Sequence, residues 1–449
     1  MARSNRTAGS AARRASGPVV IIGGGFGGLA CAKRLGAPGV ETVLIDRHNY
    51  HLFVPLLYQV ATAALSPADI AQPIRRILRR HGSVSVRLAE VSGIDAGRGE
   101  VALSDGGRIP YRCLVIAAGS VCNYFGHDDW AAHAPCPRDL PDATALRSRI
   151  LMALERAEQC ADADRRAAYL TFVIVGGGPT GVEMAGAVAE LTRHALRREF
   201  RSIDPALARI VLVEAGPRVL SGFPEALSQD AARRLDALSV AVITGRAVRA
   251  ISERGVDLDG EFLPSDTVVW GAGTRAAPAA GWLGTSPPAP GGRIPVGPDL
   301  AIEGHSGIYA IGDVAACPGE DGRLLPALAQ VAKQQGDHLG LALARECEDG
   351  SPVPAFRFRN RGNTAIIGRN AAVFDFGGGR TLTGRPAWLL WALVHIYLLN
   401  GLERRFLVAT QWLVRYVTRQ RGARLITEAP PDPLSAAAAS PRRTLPTGE

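Results

Sequence analysis

Apolar residues along this chain fall into short runs that end abruptly in glycine, and two of these runs open the same larger pattern. At 18–46, PVVIIGGGFGGLA passes into a helical stretch and then the strand-like ETVLID. At 170–214, LTFVIVGGGPTGVEMAGAVAEL leads through polar sequence to RIVLVE. Each reads as strand, glycine turn, helix and strand, the opening of a doubly wound α/β domain. The second crossover is the longer, and its excess is assigned to a helix extended through RHALRREFRSIDPALAR (193–209). Three further runs end in small residues: YRCLVIAAGS (111–120) at Ala118-Gly119, DTVVWGAGTRA (266–276) at Gly273, and GIYAIGDVAA (307–316) at Gly312-Asp313. Strand ends of this kind are where open α/β sheets place ligands.

Beyond about 346 the pattern changes. Residues 356–376 (FRFRNRGNTAIIGRNAAVFDF) alternate in short β-like pieces, 386–401 is nearly all apolar, and 402–426 is basic and amphipathic. The expected class is α/β, with two Rossmann-like dinucleotide-binding domains and a C-terminal α+β membrane-associated region. Residues 1–17 and 426–449 read as disordered tails. The first is acid-free and Arg-bearing without an apolar core, so it is no secretory signal, and an organellar transit peptide is the alternative.

Each glycine turn carries a dinucleotide fingerprint. The first is Gly23-x-Gly25-x-x-Gly28 with Asp46 eighteen residues on; the second is Gly176-x-Gly178-x-x-Gly181 with Glu214 thirty-three residues on. Such a site needs a tight turn, a bare backbone that a pyrophosphate can approach, and close packing of helix on strand. The helix N-terminus then supplies N–H groups and partial positive charge. The acid ending the next strand accepts hydrogen bonds from a ribose diol. At Glu214 it would repel a 2′-phosphate, favouring NADH over NADPH, although Arg218 nearby could soften that preference.

Two such sites point to two dinucleotides, the layout of flavin- and pyridine-nucleotide-dependent oxidoreductases of the glutathione reductase type. In that layout FAD occupies residues 18–135 and 297–345, NADH binds an inserted 136–296 domain, and 346–425 forms the C-terminal region. Asp313 would then bind the ribityl chain; its plain alternative is a strand-end turn residue.

Composition trims the choices. An apolar share of 47% and a charged share of 21% describe an ordinary packed chain. The seven cysteines are never closer than nine positions, so no CxxC pair or close-paired zinc motif exists. That excludes disulfide reductases and reads the cysteines as reduced, buried fillers. His48 and His51 lack a third ligand, and no metal is expected. The net charge of +9 comes almost wholly from arginine, since Lys33 and Lys333 are the only lysines. No nucleic-acid module accompanies it.

On these residues the chain resembles the type II NADH:quinone oxidoreductases, from about 18 to 425. The resemblance is carried by HNYHLFVPLLYQVATAALSPADIAQPIR (48–75), GGGPTGVEMAGAVAEL (176–191), GIYAIGDVAA and LAQVAKQQGDHLG (328–340). Val54 stands where members often have Gln. It implies NADH oxidation by FAD with electron transfer to a ubiquinone or menaquinone and no proton pumping. It also implies that Tyr50 and Pro55 support the flavin and that Glu183 handles protons or positions groups beside it. The helix macrodipole alone would also favour a carboxylate at Glu183, taken as first-turn. Gln330 and Gln334, four apart on a helix, share a face and could donate to a quinone carbonyl; solvated amides are the alternative. Lys333, on another face, reads as solvated.

The apolar stretch 387–399 is about 20 Å long as a helix, short of a bilayer core of about 30 Å. Leu402, Phe406, Ala409, Leu413 and Tyr416 recur at helical spacing, with Arg404, Arg405, Arg415 and Arg419 elsewhere and Trp388, Trp391 and Trp412 as interfacial aromatics. This pattern fits a helix lying in a membrane surface, here the cytoplasmic face of a bacterial membrane; a partner helix or homodimer interface is the other use. Competing functions are a soluble NADH–ferredoxin or rubredoxin reductase and an NADH-sensing flavoprotein. A sulfide:quinone oxidoreductase would need cooperating cysteines.

Overall fold

The computed structural model describes residues 17–196, 199–284, 288–399, 401–418 and 422–427. The two expected tails fall almost entirely outside these residues, as does Arg419. The side chains of Leu402, Arg404, Arg415 and Tyr416 are likewise outside the description.

The chain divides into two compact units. The first comprises Met1–Leu52, Ala71–Cys122 and Thr274–Arg361; the second comprises Phe53–Ile70, Asn123–Gly273 and Gly362–Glu449. The middle segment of the second unit runs from Asn123 to Gly273. Part of the 48–75 segment, including Pro55, is counted with the second unit, and so is the C-terminal region beyond Gly362.

The first unit is built on five parallel strands in the order Ile308–Ala310, Cys113–Ile116, Val19–Ile22, Thr42–Asp46 and Val84–Leu88. All four residues of Val19–Ile22 are buried, as a central strand covered on both faces requires. Helix Phe26–Gly36 follows the first glycine turn and packs on helix Ala329–Asp349. The two approach backbone to backbone: a Cβ at Gly336 would lie 2.1 Å from Gly27 O, and one at Gly340 would lie 2.7 Å from Cys31 O.

The second unit repeats the plan with four parallel strands, ordered Val240–Thr244, Arg209–Glu214, Thr171–Val175 and Thr267–Trp270. Helix Pro179–Glu190 follows its glycine turn. Among the described residues of 193–209 the expected continuation of this helix does not form. One π-turn, Leu191–Ala195, ends it, and only a short 3-10 turn, Pro205–Leu207, precedes the next strand. A distant carboxylate holds the intervening chain in another shape: Arg201 N–H (2.8 Å), Ser202 N–H (2.9 Å) and Ile203 N–H (3.1 Å) all donate to Glu158. Helix Leu140–Gln159, which carries Glu158, begins at a capping box between Asp139 and Asp142.

The C-terminal part of the second unit is an antiparallel sheet, Asn363–Ile366, Ala372–Gly377 and Arg380–Thr383, followed by helices Gly384–Leu398 and Leu402–Thr418. The alternating FRFRNR piece (356–361) forms no strand. No helix among the described residues is long and apolar enough to cross a membrane.

Candidate functional site

In the first unit each of the three fingerprint glycines has its own geometry. Gly23 has φ +104°, and a Cβ there would lie 2.3 Å from Ala117 O. At Gly28 a Cβ would lie 1.8 Å from Gly23 O, so only glycine lets this helix sit on the turn. Gly25, the N-cap of the helix, has nothing within 4 Å of its Cβ position. That space is what a pyrophosphate needs beside the N-terminal N–H groups, so this cradle fits the ADP portion of an FAD. Asp46 stands at the end of the neighbouring strand, where Gly24 N–H (2.6 Å) and His48 N–H (2.7 Å) each donate to one carboxylate oxygen. Both oxygens are thereby oriented and each keeps a lone pair for a diol.

His51 is buried, and its Nδ1 pairs with Gly24 O at 2.9 Å. Because a carbonyl only accepts, Nδ1 carries the proton. Burial holds this imidazole down to about 4, so it is neutral. Gly24 is thus clamped at both backbone groups, by Asp46 and by His51. The histidine that might have suggested a metal is a strut for the phosphate turn. His48 stacks on Tyr50 at 5.1 Å, and no cluster able to hold a metal exists among the described residues.

Asp313 lies past the Ile308–Ala310 strand, where Ser120 Oγ donates to its Oδ2 at 2.6 Å. Ser120 follows Ala118 and Gly119 at the end of strand Cys113–Ile116, so these two strand ends converge. Gly312 N–H donates to the fully buried Gln335 Oε1 at 2.7 Å. Gln335 was not singled out from sequence, though Val331, Gln335 and Leu339 recur every four residues on the core face of their helix. Gln335→Leu would leave Gly312 N–H buried without a partner, at a cost of about 1–3 kcal/mol. Its thermal midpoint is expected below that of the parent, with loss of FAD on gel filtration.

Gln330 and Gln334 do share a face, but their amides hold the chain that follows. Arg361 N–H donates to Gln330 Oε1 (3.1 Å) and Arg359 N–H to Gln334 Oε1 (3.1 Å), while Gln334 Nε2 donates to Arg359 O (2.9 Å). His338, one turn on, pairs with Pro354 O. This helix face therefore supplies the hydrogen bonds that the strandless 354–361 segment lacks. Lys333, on another face, pairs with Asp337 at 2.6 Å rather than being solely solvated.

The second unit repeats the cradle. Gly176 has φ +106° and a Cβ position 2.5 Å from Ala272 Cα; that of Gly181 lies 1.8 Å from Gly176 O; that of Gly178 is open to 4 Å. Gly177 N–H (2.6 Å) and Gly216 N–H (2.7 Å) donate to the two oxygens of Glu214. Arg218 does not face this carboxylate. Its guanidinium donates to the carbonyls of Leu220, Ser221 and Phe223, leaving Glu214 as the charge a 2′-phosphate would meet.

The first turn of helix Pro179–Glu190 contains no acid and Glu183 lies beyond it, so the macrodipole does not account for this residue. Ile366 N–H donates to its Oε1 at 3.4 Å. Part of the residue reaches the surface, yet enclosure of the carboxyl pushes its pKa up to about 8, opposed only by that N–H. Glu183 is therefore largely a neutral acid at pH 7, with a proton to give.

Cys31, Cys113, Cys160, Cys317 and Cys347 are free thiols, but Cys122 and Cys136 are disulfide-bonded, so not every cysteine is a reduced filler. Trp391 is buried rather than interfacial: it stacks on Trp412 (5.2 Å) and on His395 (4.3 Å). These rings join the two C-terminal helices, and Gln411 Nε2 donates to Asp69 (3.3 Å) to fix the second. The opposite side is apolar and bare, with Leu389, Leu393, Tyr397, Phe406 and Leu413 all more than half exposed. Arg405 lies over the Tyr397 ring at 5.0 Å.

The chain is similar to known proteins over most of its length. The model of the pyridine nucleotide-disulphide oxidoreductase family matches residues 17–336. Two Mycobacterium tuberculosis proteins, the type II NADH:quinone oxidoreductases Ndh and NdhA, are each 39% identical to this chain; both alignments cover 91% of it, with 90% and 89% of the relatives. A solved Plasmodium falciparum structure, described as NDH2 in complex with NADH, superposes with a TM-score of 0.83 at 19% identity, over 92% of this chain and all of its own.

Proposed function

This chain belongs to the type II NADH:quinone oxidoreductase family, and we propose a division of labour among its residues for that reaction. It oxidises NADH and reduces a quinone, depends on FAD and pumps no protons. FAD supplies the hydride-accepting and two-electron chemistry that no side chain here possesses. The cradle of Gly23, Gly25 and Gly28 with Asp46 holds its ADP portion, and Asp313, oriented by Ser120 and by the Gln335–Gly312 bond, holds the ribityl chain. Gly176, Gly178 and Gly181 receive the NADH pyrophosphate, and Glu214 takes the adenosine ribose. Glu183 keeps a proton in a water-poor setting where a quinone that gains two electrons must also gain protons. Gln330 and Gln334 shape the quinone side by holding the 359–361 backbone in place.

The observation that carries this reading is the repetition of one device. Each unit has a glycine whose Cβ position is empty, beside one whose Cβ would collide with the turn, facing a carboxylate aligned by two N–H groups. In the purified yellow protein, NADH oxidation should require an added short-chain quinone. A rate indifferent to quinone sinks the assignment.

The bare apolar side of the last two helices supports seating on a membrane surface, the cytoplasmic face of a bacterial membrane in our reading. A chain ending at 385 should leave the membrane fraction on cell lysis; persistence there would refute the anchor.

A further inference from the structure

The loop that opens the central part of the second unit holds a side chain that the cradle, Glu214 and Glu183 leave unexplained. Phe125 has φ +54°, a region in which a bulky residue is strained. It is also 63% exposed. Strain and exposure both weigh against a phenylalanine, yet the surrounding bonds hold it there. Asn123 N–H donates to Gly273 O at 3.2 Å, Trp270 Nε1 donates to Asn123 O at 2.9 Å, and Phe125 N–H donates to Asn123 Oδ1 at 3.0 Å. Tyr124 turns inward, stacking on Trp270 (5.1 Å) with its hydroxyl donating to Ala134 O. With Tyr124 committed to the interior, Phe125 is turned out.

The ring stands over the carboxyl end of the sheet. A Cβ at Gly273 would meet the Phe125 ring at 3.3 Å, and one at Gly176 would meet Ala272 at 2.5 Å. The glycine turn, the Gly271–Gly273 strand end and the Phe125 ring therefore follow one another along the crevice. The strand order says which part of a dinucleotide arrives there. Strand Thr171–Val175 has Arg209–Glu214 on one side and Thr267–Trp270 on the other, so the order reverses beside its glycine turn. A dinucleotide lies across such a point with its pyrophosphate at the turn. Glu214 fixes the adenosine on the first side, and the nicotinamide half must lie on the second, at Gly273.

We propose that Phe125 packs its ring against the nicotinamide half of NADH, its strained backbone holding the ring out before the ligand arrives. This rests on the NADH-binding role given above to the second unit. A flat apolar face suits an aromatic-like ring and contributes without charge near the carbon that gives up hydride.

The test is NAD+ binding to the FAD-loaded protein, read as a change in tryptophan fluorescence, since Trp270 lies 6.3 Å from the Phe125 ring. Phe125→Ala is compared with Phe125→Asn, which removes the ring but tolerates the left-handed backbone, and with Phe125→Tyr, which keeps a ring. Ala and Asn variants should bind NAD+ about tenfold more weakly, with ADP-ribose affinity unchanged and Tyr restoring the parent value. In turnover the KM for NADH should rise similarly while the KM for quinone stays fixed. Unchanged NAD+ affinity in the Asn variant, or equal loss for NAD+ and ADP-ribose, overturns the proposal. Failure of the parent protein itself to bind NAD+ would overturn the NADH reading, and this proposal with it.

Discussion

Replacing Gly181 with alanine should lower NADH oxidation by at least about a hundredfold while the protein retains its FAD. The added methyl would sit 1.8 Å from Gly176 O and 3.0 Å from Gly176 C. Both are backbone atoms of a turn that already runs at φ +106° against Ala272, so no rotamer change relieves the contact. The helix must withdraw from the turn, carrying its N–H groups away from the pyrophosphate position. A displacement of about 1 Å in a binding site is enough for a hundredfold loss. The strain also lowers the melting temperature, since overpacking of this kind costs about 1–3 kcal/mol. Gly178→Ala separates the two effects. Its φ of −71° suits any residue and its Cβ position is empty, so folding is untouched and only the ligand meets the methyl. The expected pair is loss of NADH binding in both variants and loss of thermal stability in Gly181→Ala alone. A parental KM for NADH in Gly181→Ala would contradict the cradle.

That contrast also explains what the sequence revealed. The glycine roles were legible because a missing Cβ is itself written in the sequence, and the collision it avoids is local. Asp46 and Glu214 were legible as the acids that end the next strand, at spacings of eighteen and thirty-three residues. Gln335 was legible in principle, since its recurrence with Val331 and Leu339 puts it on the buried face, but the family motif drew attention to Gln330 and Gln334 instead. The 193–209 segment departs from its helical pattern because Glu158, far away in the chain, accepts the backbone N–H groups of Arg201 and Ser202. Trp391 was misplaced because helix Gly384–Leu398 is apolar nearly all round, and only tertiary packing decides which ring turns inward. Phe125 left no trace: nothing in an Asn-Tyr-Phe-Gly stretch announces a left-handed phenylalanine. The disulfide state of Cys122 and Cys136 was equally hidden, as it depends on the path of the chain rather than on a short spacing.

Glu183→Gln should raise the melting temperature by an amount that grows with pH, while slowing turnover. The carboxyl titrates near its ordinary 4.5 in the unfolded chain but at about 8 in the native protein. Below 4.5 both states are protonated and the residue contributes no pH dependence. Between the two values the native state binds a proton that the unfolded state has released, so stability falls as pH rises, by about 1.4 kcal/mol per unit. Above about 8 both states are ionised and the penalty is constant. Glutamine keeps an acceptor for Ile366 N–H but carries no charge at any pH, and so escapes the penalty. The difference in melting temperature between variant and parent should therefore widen from pH 5 to pH 8 and level off beyond it; a constant difference would show that the carboxyl is not held neutral. Turnover distinguishes a proton donor from a strut. The parent kcat should decline above pH 8, where the proton is lost, and the variant should show a flat profile about a hundredfold lower, the scale of general acid catalysis. If Gln matches the parent rate at pH 7 and follows its decline, Glu183 only supports the Ile366 strand, and the proton for the quinone comes from another group.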